Sequence, residues 1–561
     1  MHRTKLLAGI AIATILLGTA VAGLVLAETP SPSHAALTGT VSSQAEGPME
    51  GVIVGAKKAG STVTTWVVSD AQGHYSFPLD RLASGTYAIK IRAVGYELPS
   101  TSVEVMGDPA HLDLQLNKIT SVNKLAMQLT NVEWRMSVPG TPQEKAGLGC
   151  STCHTLQRIL FSRYNADEMV QVLQRMATHT NNSSPLHPWV RPSLGPAPEP
   201  TARMIDQAKY IASINLSSVD TFPFPLKTLP RPKGKATQVI YTTYDLPRPD
   251  AAPHDTAQDA QGNIWYSDFT SQFIGKLDPR TGKVTEYPVP LGRTGPLAQG
   301  GLQLAFDREG RVYYGNMSQM QIVRFDPKTQ KMESFKAPVA EEKLGVGHLT
   351  MIDPTFQQVD GKLWINVAEG TDESGGSWRV DLATNTWTKV TYPAGSPPGV
   401  AYGIAADSHN NMYGMNFSNN HIWLTDAKTL KTTWWDIPTK GAGCRRGHLD
   451  SQDRLWCGEF VGDALAMFDP KTQKVTEWKA PTPGTLPYDA ESDDQNYVWT
   501  AGMEDDLALR FNIKTREFTE YLLPHETNVR HVDVQKSGPL SSLWLGDQHG
   551  ASIIHIEPLA P

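Results

Sequence analysis

The chain has 561 residues, room for about three or four domains. Hydrophobic residues make up 40% and charged residues 19%, a globular composition, with a formal net charge of -7 and an isoelectric point near 6.2. That balance argues against nucleic acid as the main partner.

The first segment bears on the compartment. Arg3 and Lys5 form a basic start, Leu6 to Leu26 is almost wholly apolar, and Val25-Leu26-Ala27 reads as a small-x-small cleavage site. Residues 1–27 are therefore expected to be a signal peptide, and the protein to be exported to the periplasm. The apolar run is also about long enough to span a bilayer, so an uncleaved membrane anchor is the alternative. Glu28 to His34 is a Pro/Ser linker.

From residue 36 to 118 short period-two runs alternate with turn residues, which predicts a small β-sandwich. The strand candidates are Val52 to Val54, Val63 to Val68, Tyr75 to Phe77, Tyr87 to Ile91 and Val103 to Val105, with a tight turn at Asp70-Ala71-Gln72-Gly73. Gly39-Thr40-Val41, Ser69 to Phe77, Gly85-Thr86-Tyr87 and Gly95-Tyr96 resemble the carboxypeptidase regulatory-like domain. That resemblance implies a transthyretin-like sandwich with a spacer or docking role and no catalytic residues.

Residues 119–222 carry the most explicit chemistry in the chain. Cys150-Ser151-Thr152-Cys153-His154 is the attachment signature of one covalent haem c: two thiols to bond the porphyrin and an imidazole to reach the iron. A redox dithiol would need a thioredoxin-like context, and a zinc site a second ligand pair, and the sequence offers neither. Helices are predicted over Tyr164 to Thr178, capped by Asn165 or Asp167, and from about Thr201 to Leu216, with a Pro-rich loop from Pro185 to Pro200 between them. The segment resembles a small, all-α class I cytochrome c in the haem motif and the closing helix Ala208 to Asn215. Pro139 and Pro142 break the long N-terminal helix of that family. A thioether suits electron transfer as the sixth iron ligand, and Met176 is the expected donor, with Met169, Met204, His179 and His187 as rivals.

After a linker at 223–236, residues 237–561 repeat with a period of roughly 40 residues, the mark of a β-propeller. A turn opened by Asp or Asn recurs at Asp278, Asp326, Asp381, Asp426, Asp469 and Asn512. The aromatic strands at Trp265, Tyr313, Trp364, Tyr413, Trp456, Trp499 and Trp544 predict seven blades. The last repeat lacks its outermost strand, and Gln238 to Pro247 is expected to supply it and close the ring. The fold class expected is thus multidomain and mainly β: N-terminal β-sandwich, small all-α haem domain, seven-bladed β-propeller.

In a propeller, loops gather at the two mouths. Aligning the repeats places His254, Leu302, Asp353, Tyr402, Arg445, Tyr488 and Arg530 at the starts of the inner strands, and Asp268, Asn316, Val367, Asn416, Glu459, Gly502 and Asp547 at the ends of the next. Such a mixed polar lining suits a small polar or anionic ligand, or a metal. Tyr402, Arg445, Arg446, Tyr488 and Arg530 are the candidate ligand-binding residues. Arg445 and Arg446 beside Glu459 make either an anion clamp or a structural ion pair, and His448 reads equally as a core histidine. Cys444 and Cys457 flank one hairpin, as a bridge or as two buried thiols.

The stretch Pro253-His254-Asp255 with Gly262 to Asp268, echoed in later repeats, resembles the virginiamycin B lyase (streptogramin lyase) propellers. Those enzymes open a cyclic depsipeptide by metal-assisted elimination, with a His as base and a carboxylate holding a divalent cation. The resemblance implies His254, Asp268, Glu459 and His549 as catalytic candidates. No repeat carries the full family pattern of His followed by Glu-x-His: Thr270 and Val461 stand where two of the histidines belong, and the last repeat has Asp547-Gln548-His549 after Arg530-His531. The function expected is electron transfer through the haem to or from a redox partner protein, with a propeller that binds a small molecule. Lyase-type elimination or a purely binding propeller is the alternative.

Overall fold

The computed structural model describes residues 35–179, 197–294, 297–344, 347–351, 354–368, 370–392, 394–397 and 401–561. The expected signal segment, His187 and Asp353 lie outside the described residues. No helix among the described residues is long and apolar enough to cross a membrane.

The N-terminal module packs two sheets face to face. One is organised on Ala35–Ser43, which pairs antiparallel with His74–Pro78 and parallel with Leu114–Lys118. The other contains Ile53–Lys58, Val63–Val68, Gly85–Arg92 and Thr101–Val105, all antiparallel. Val41, Val54, Tyr75, Phe77 and Leu114 fill the space between them.

This second sheet does not stop at the module's edge. Val63–Val68 pairs antiparallel with Val239–Asp245, and that strand pairs on its other side with Ser552–Pro558, the last strand of the repeats. One eight-stranded sheet therefore runs from the sandwich into the final repeat, ending on Ser542–Asp547 and Asp533–Gln535. Side chains alternate faces along a strand, and here each face serves a different core. Val67 and Ile240 are buried in the sandwich, while Trp66, Val68, Val239 and Tyr241 are buried with Leu545, Ile554 and Ile556 of the last repeat.

Among the described residues, the other repeats form six antiparallel four-stranded sheets. Their innermost strands are Pro253–Gln258, Gly301–Phe306, His348–Met351, Ala401–Ala406, Cys444–Leu449 and Pro487–Ser492, followed by Asp533–Gln535 of the long sheet. Each touches the next in that order and the last touches the first, which makes a closed, propeller-like ring. Large aromatic residues, among them Trp265, Trp364, Trp456 and Trp499, are fully buried between sheets.

The recurring turn has a local cause. The Asp or Asn side chain accepts the backbone N–H two residues on: Arg280 to Asp278, Lys328 to Asp326, Lys471 to Asp469 and Lys514 to Asn512. The residue that follows the turn Thr is left-handed, whether it is Gly282, Gln330, Asn385, Leu430, Gln473 or Arg516.

The inner strands share a second irregularity. The ladder slips between Pro253 and Thr256, Gly301 and Leu304, Ala401 and Ile404, Cys444 and Gly447, and Pro487 and Ala490. A bulge re-aims side chains and locally suspends strict alternation. Consecutive residues such as Arg445 and Arg446 therefore both reach the axis.

Between sandwich and ring lies a helical segment. Asn131–Ser137 and Pro142–Ala146 are separate short helices, each with a Thr-Glu capping box. Ala166–Met176 starts at an Asn165–Glu168 capping box, and Ala202–Ser213 starts at Thr201. Trp134, Leu148, Leu160, Leu173 and Ile211 make their common core.

Candidate functional site

The cysteine-histidine motif sits on the single turn Gly149–Thr152 and the residues after it. Both thiols are free. Burial raises the Cys150 and Cys153 thiols above their ordinary value, and the Arg530 charge partly offsets this at Cys153. His154 Nδ1 faces the Thr155 carbonyl at 3.1 Å, which leaves Nε2 as the nitrogen able to ligate. Burial, with smaller effects from Arg158 and His549 that also disfavour protonation, holds this imidazole below its ordinary pKa and so neutral at pH 7.

The motif is docked directly on the ring. Ser151 Oγ donates to Glu504 Oε1 at 2.5 Å, and Arg135 pairs with the same carboxylate at 2.5 Å. The Val132 N–H donates to the Glu504 carbonyl at 3.2 Å. Arg530, fully buried, donates to the Thr152 carbonyl at 2.5 Å from inside the ring. The mouth expected to receive a ligand is therefore covered, in this structure, by the motif itself.

A cavity of about 680 Å³ opens between motif and ring, within the ~300–1,000 Å³ range of sites for drug-sized ligands. Ala126, Met127, Cys153, His154, Arg158 and Phe161 line one side. Pro249, Asp250, Ala251, Glu526, Gln548 and His549 line the other. Two free thiols, a neutral imidazole and a partly apolar cavity lined by Cys153 and His154 are the residue types that the haem expected from the sequence would need.

His549 is the notable side chain on the ring's side. It sits in the turn after Ser542–Asp547, where its backbone N–H donates to Asp547 Oδ1 at 3.1 Å. Its side chain is 9% exposed, and Nδ1 lies 3.7 Å from Glu526. Among the described residues, neither ring nitrogen has a hydrogen-bond partner. Met176 ends its helix half-buried and is not among the residues lining the cavity. Met169 lies in the helical core, and His179 Nδ1 faces the Arg175 carbonyl at 3.0 Å.

Inside the ring the bulged residues form two layers. In the first, the Arg445 guanidinium lies 3.9 Å from the Tyr488 ring centre, 4.4 Å from Phe417, 4.5 Å from Phe460 and 4.8 Å from Tyr402. The Tyr402 and Tyr488 hydroxyls are 2.6 Å apart. This cage satisfies Arg445 by cation–π contact.

In the second layer Arg446 grips Asp255 bidentately at 2.7 and 2.8 Å. Burial alone would raise Asp255, yet Arg446 holds it far below the usual carboxylate range. His254 Nδ1–H donates to the ionised Asp255 at Oδ1, 2.6 Å away, and the ring stacks on Phe269. Burial pushes its pKa down to about 3. His448, Asp489 and His531 offer ligand atoms within 4.8 Å of one another, a donor set suited to a divalent cation. Arg446 Nε lies 4.0 Å from Asp489 and already brings a positive charge there.

The four catalytic candidates are not assembled into one site. His254 is held by Asp255. Asp268 is fully buried and bound to Arg248 and to the N–H groups of Thr270 and Ser271. Glu459 is buried, and burial together with the Glu477 carboxylate pushes its pKa up to about 8. His549 alone lines the cavity. Cys444 and Cys457 are disulfide-bonded across adjacent strands.

Residues 36–117 match the carboxypeptidase regulatory-like domain. No curated protein matches the sequence. Among solved structures the chain is similar to a streptogramin B lyase at 18% identity and a TM-score of 0.48, covering 58% of this chain and 99% of that one. It is also similar to the virginiamycin B lyase of Staphylococcus aureus at 17% identity and a TM-score of 0.47, covering 57% and 99%. This likeness is one of propeller fold.

Sequence reasoning gave a role to the first residue of each inner doublet, quoted Asp255 and His531 without giving them one, and left out Asp489. The doublets His254-Asp255, Arg445-Arg446, Tyr488-Asp489 and Arg530-His531, at equivalent repeat positions, were the available signal. Glu504 and Glu526 had no such signal, because each follows a strand at a position that nothing in the repeat marks.

Proposed function

We propose that this chain is an exported c-type haem protein that passes single electrons to a partner protein, with its haem mounted on a seven-bladed propeller. The observation that carries the reading is that Cys153 and His154 line a ligand-sized cavity whose far wall belongs to the ring. Cys150 and Cys153 would hold the porphyrin covalently, each through the addition of its S–H across a vinyl group, and His154 would offer a nitrogen to the iron. Bound there, the group supplies reversible one-electron chemistry.

The rest of the site positions the motif and limits water. Glu504 holds Ser151 and Arg135, and Arg530 holds the Thr152 carbonyl, so the attachment turn is fixed at both ends. Phe161 and Ala251 give the cavity apolar walls. The ring serves in this reading as a rigid mount, consistent with the burial of Tyr402, Arg445, Arg446 and Tyr488. Periplasmic placement follows from the chemistry, because attachment of this kind takes place outside the cytoplasmic membrane.

The test is production in a host that matures c-type haem proteins. The expected result is haem that stays with the polypeptide on a denaturing gel, and loses its covalent link in a Cys150→Ala, Cys153→Ala double variant. A wild-type chain free of covalent haem, from a host that loads a control cytochrome, would refute the reading.

A further inference from the structure

We propose that His549 is the sixth ligand of the haem iron, presented by the ring across the cavity from His154. This deepens the haem reading and rests on it. The first support is placement: His154 and His549 line the same cavity, one on the motif and one on the last repeat. The second is an unmet demand. A histidine side chain only 9% exposed, with neither ring nitrogen hydrogen-bonded, is unusual, because buried polar groups nearly always find partners. A metal bond would meet that demand.

The surroundings suit a ligand. The turn that carries His549 is pinned by its N–H bond to Asp547 Oδ1, and Asp547 is itself fixed by the Asn528 N–H at 3.1 Å. Nδ1 lies 3.7 Å from Glu526, so the carboxylate sits on the side from which metal-bound imidazoles are usually oriented, and Nε2 is the ligating atom. The competing donors fit less well. Met127 lines the cavity but is a 67% exposed residue, and Met176 is not part of the lining.

The consequence is a haem clasped between two domains. Two imidazoles also give a lower reduction potential than an imidazole and a thioether, since methionine ligation raises it. Loss or exchange of His549 should therefore change the iron's spin state and potential while leaving the covalent link intact.

The experiment uses the purified full chain, with covalent haem checked by denaturing gel in every sample. The ferric wild-type protein is expected to be low-spin by electron paramagnetic resonance, without the weak far-red absorption band of methionine–iron ligation. His549→Ala should keep covalent haem, lose the low-spin signal and regain it on addition of imidazole. His549→Met should keep covalent haem, gain the far-red band and move to higher potential. A methionine band in the wild type, or an unchanged low-spin signal in His549→Ala, would overturn the assignment and leave the haem reading standing. Absence of covalent haem from the wild type would instead remove the haem reading, and this assignment with it.

Discussion

Arg445 and Arg446 are neighbours in sequence with different electrostatic partners, an aromatic cage and a buried carboxylate. The inner-strand bulge makes this possible, because a regular strand would send them to opposite faces. Glu459, one hairpin strand away, is a buried acid whose pKa is about 8, against an ordinary value of 4.5. The unfolded chain releases this proton above about pH 4.5 while the folded chain keeps it up to about pH 8, so the stabilisation it contributes is complete at low pH and is lost as pH rises through that window. Glu459→Gln, which keeps the shape and abolishes the charge, should gain on the wild type as pH rises from 5 to 8, by at least about 1 kcal/mol. Urea unfolding at both pH values measures it, and a constant difference between the two proteins would be the contrary result. The Cys150-Ser151-Thr152-Cys153-His154 spacing was legible at this scale because it is local to five residues. That His549 would share a cavity with His154 was not, since a fold-wide contact brings them together and leaves no local pattern.

Among elements, the join between the sandwich and the ring depends on strand pairing and on side-chain contacts; among the described residues, Arg92 makes the most buried ion pair there. Arg92 of Gly85–Arg92 pairs with Asp506 at 2.6 Å and donates to the carbonyls of Leu523 and His525 at 2.7 and 2.8 Å. Asp506 is only 2% exposed, and its other oxygen accepts from the Thr527 N–H at 2.8 Å. Arg92→Ala would leave that carboxylate buried without its cation, a cost of about 3 kcal/mol. The expected readout is a lowered urea midpoint with an unchanged slope, and a midpoint equal to that of the wild type would refute it. The strands and most turns were visible as period-two runs punctuated by Asp-Pro-x-Thr, and the role of Val239–Asp245 as partner to the last strand followed from a strand missing at the end of the repeats. That Val63–Val68 would extend the same sheet was not visible. Both faces of that strand are apolar because it serves two cores, and a sequence pattern cannot say which cores they are.

For the molecule as a whole, the eight-stranded sheet means that the sandwich and the ring have no independent boundary. Strand Val239–Asp245 lies in the middle of it, paired on both sides, and Trp66 Nε1 donates to Thr243 Oγ1 at 3.0 Å across the join. Its residues contribute to both cores at once, so neither module can unfold without exposing apolar surface of the other. Domain arrangement of this kind is beyond reading from composition or spacing, because the contacts that set it are single side chains on distant backbone, such as Arg530 on Thr152. The arrangement predicts that the sandwich and the ring melt together in one calorimetric transition. Thr243→Pro, which removes a ladder hydrogen bond from a doubly paired strand and its side-chain acceptor, should separate that event into two. Two transitions already present in the wild type, assigned by probes on Trp66 and Trp364, would show that the shared sheet does not couple the modules; a single transition in wild type that splits in the variant would show that it does.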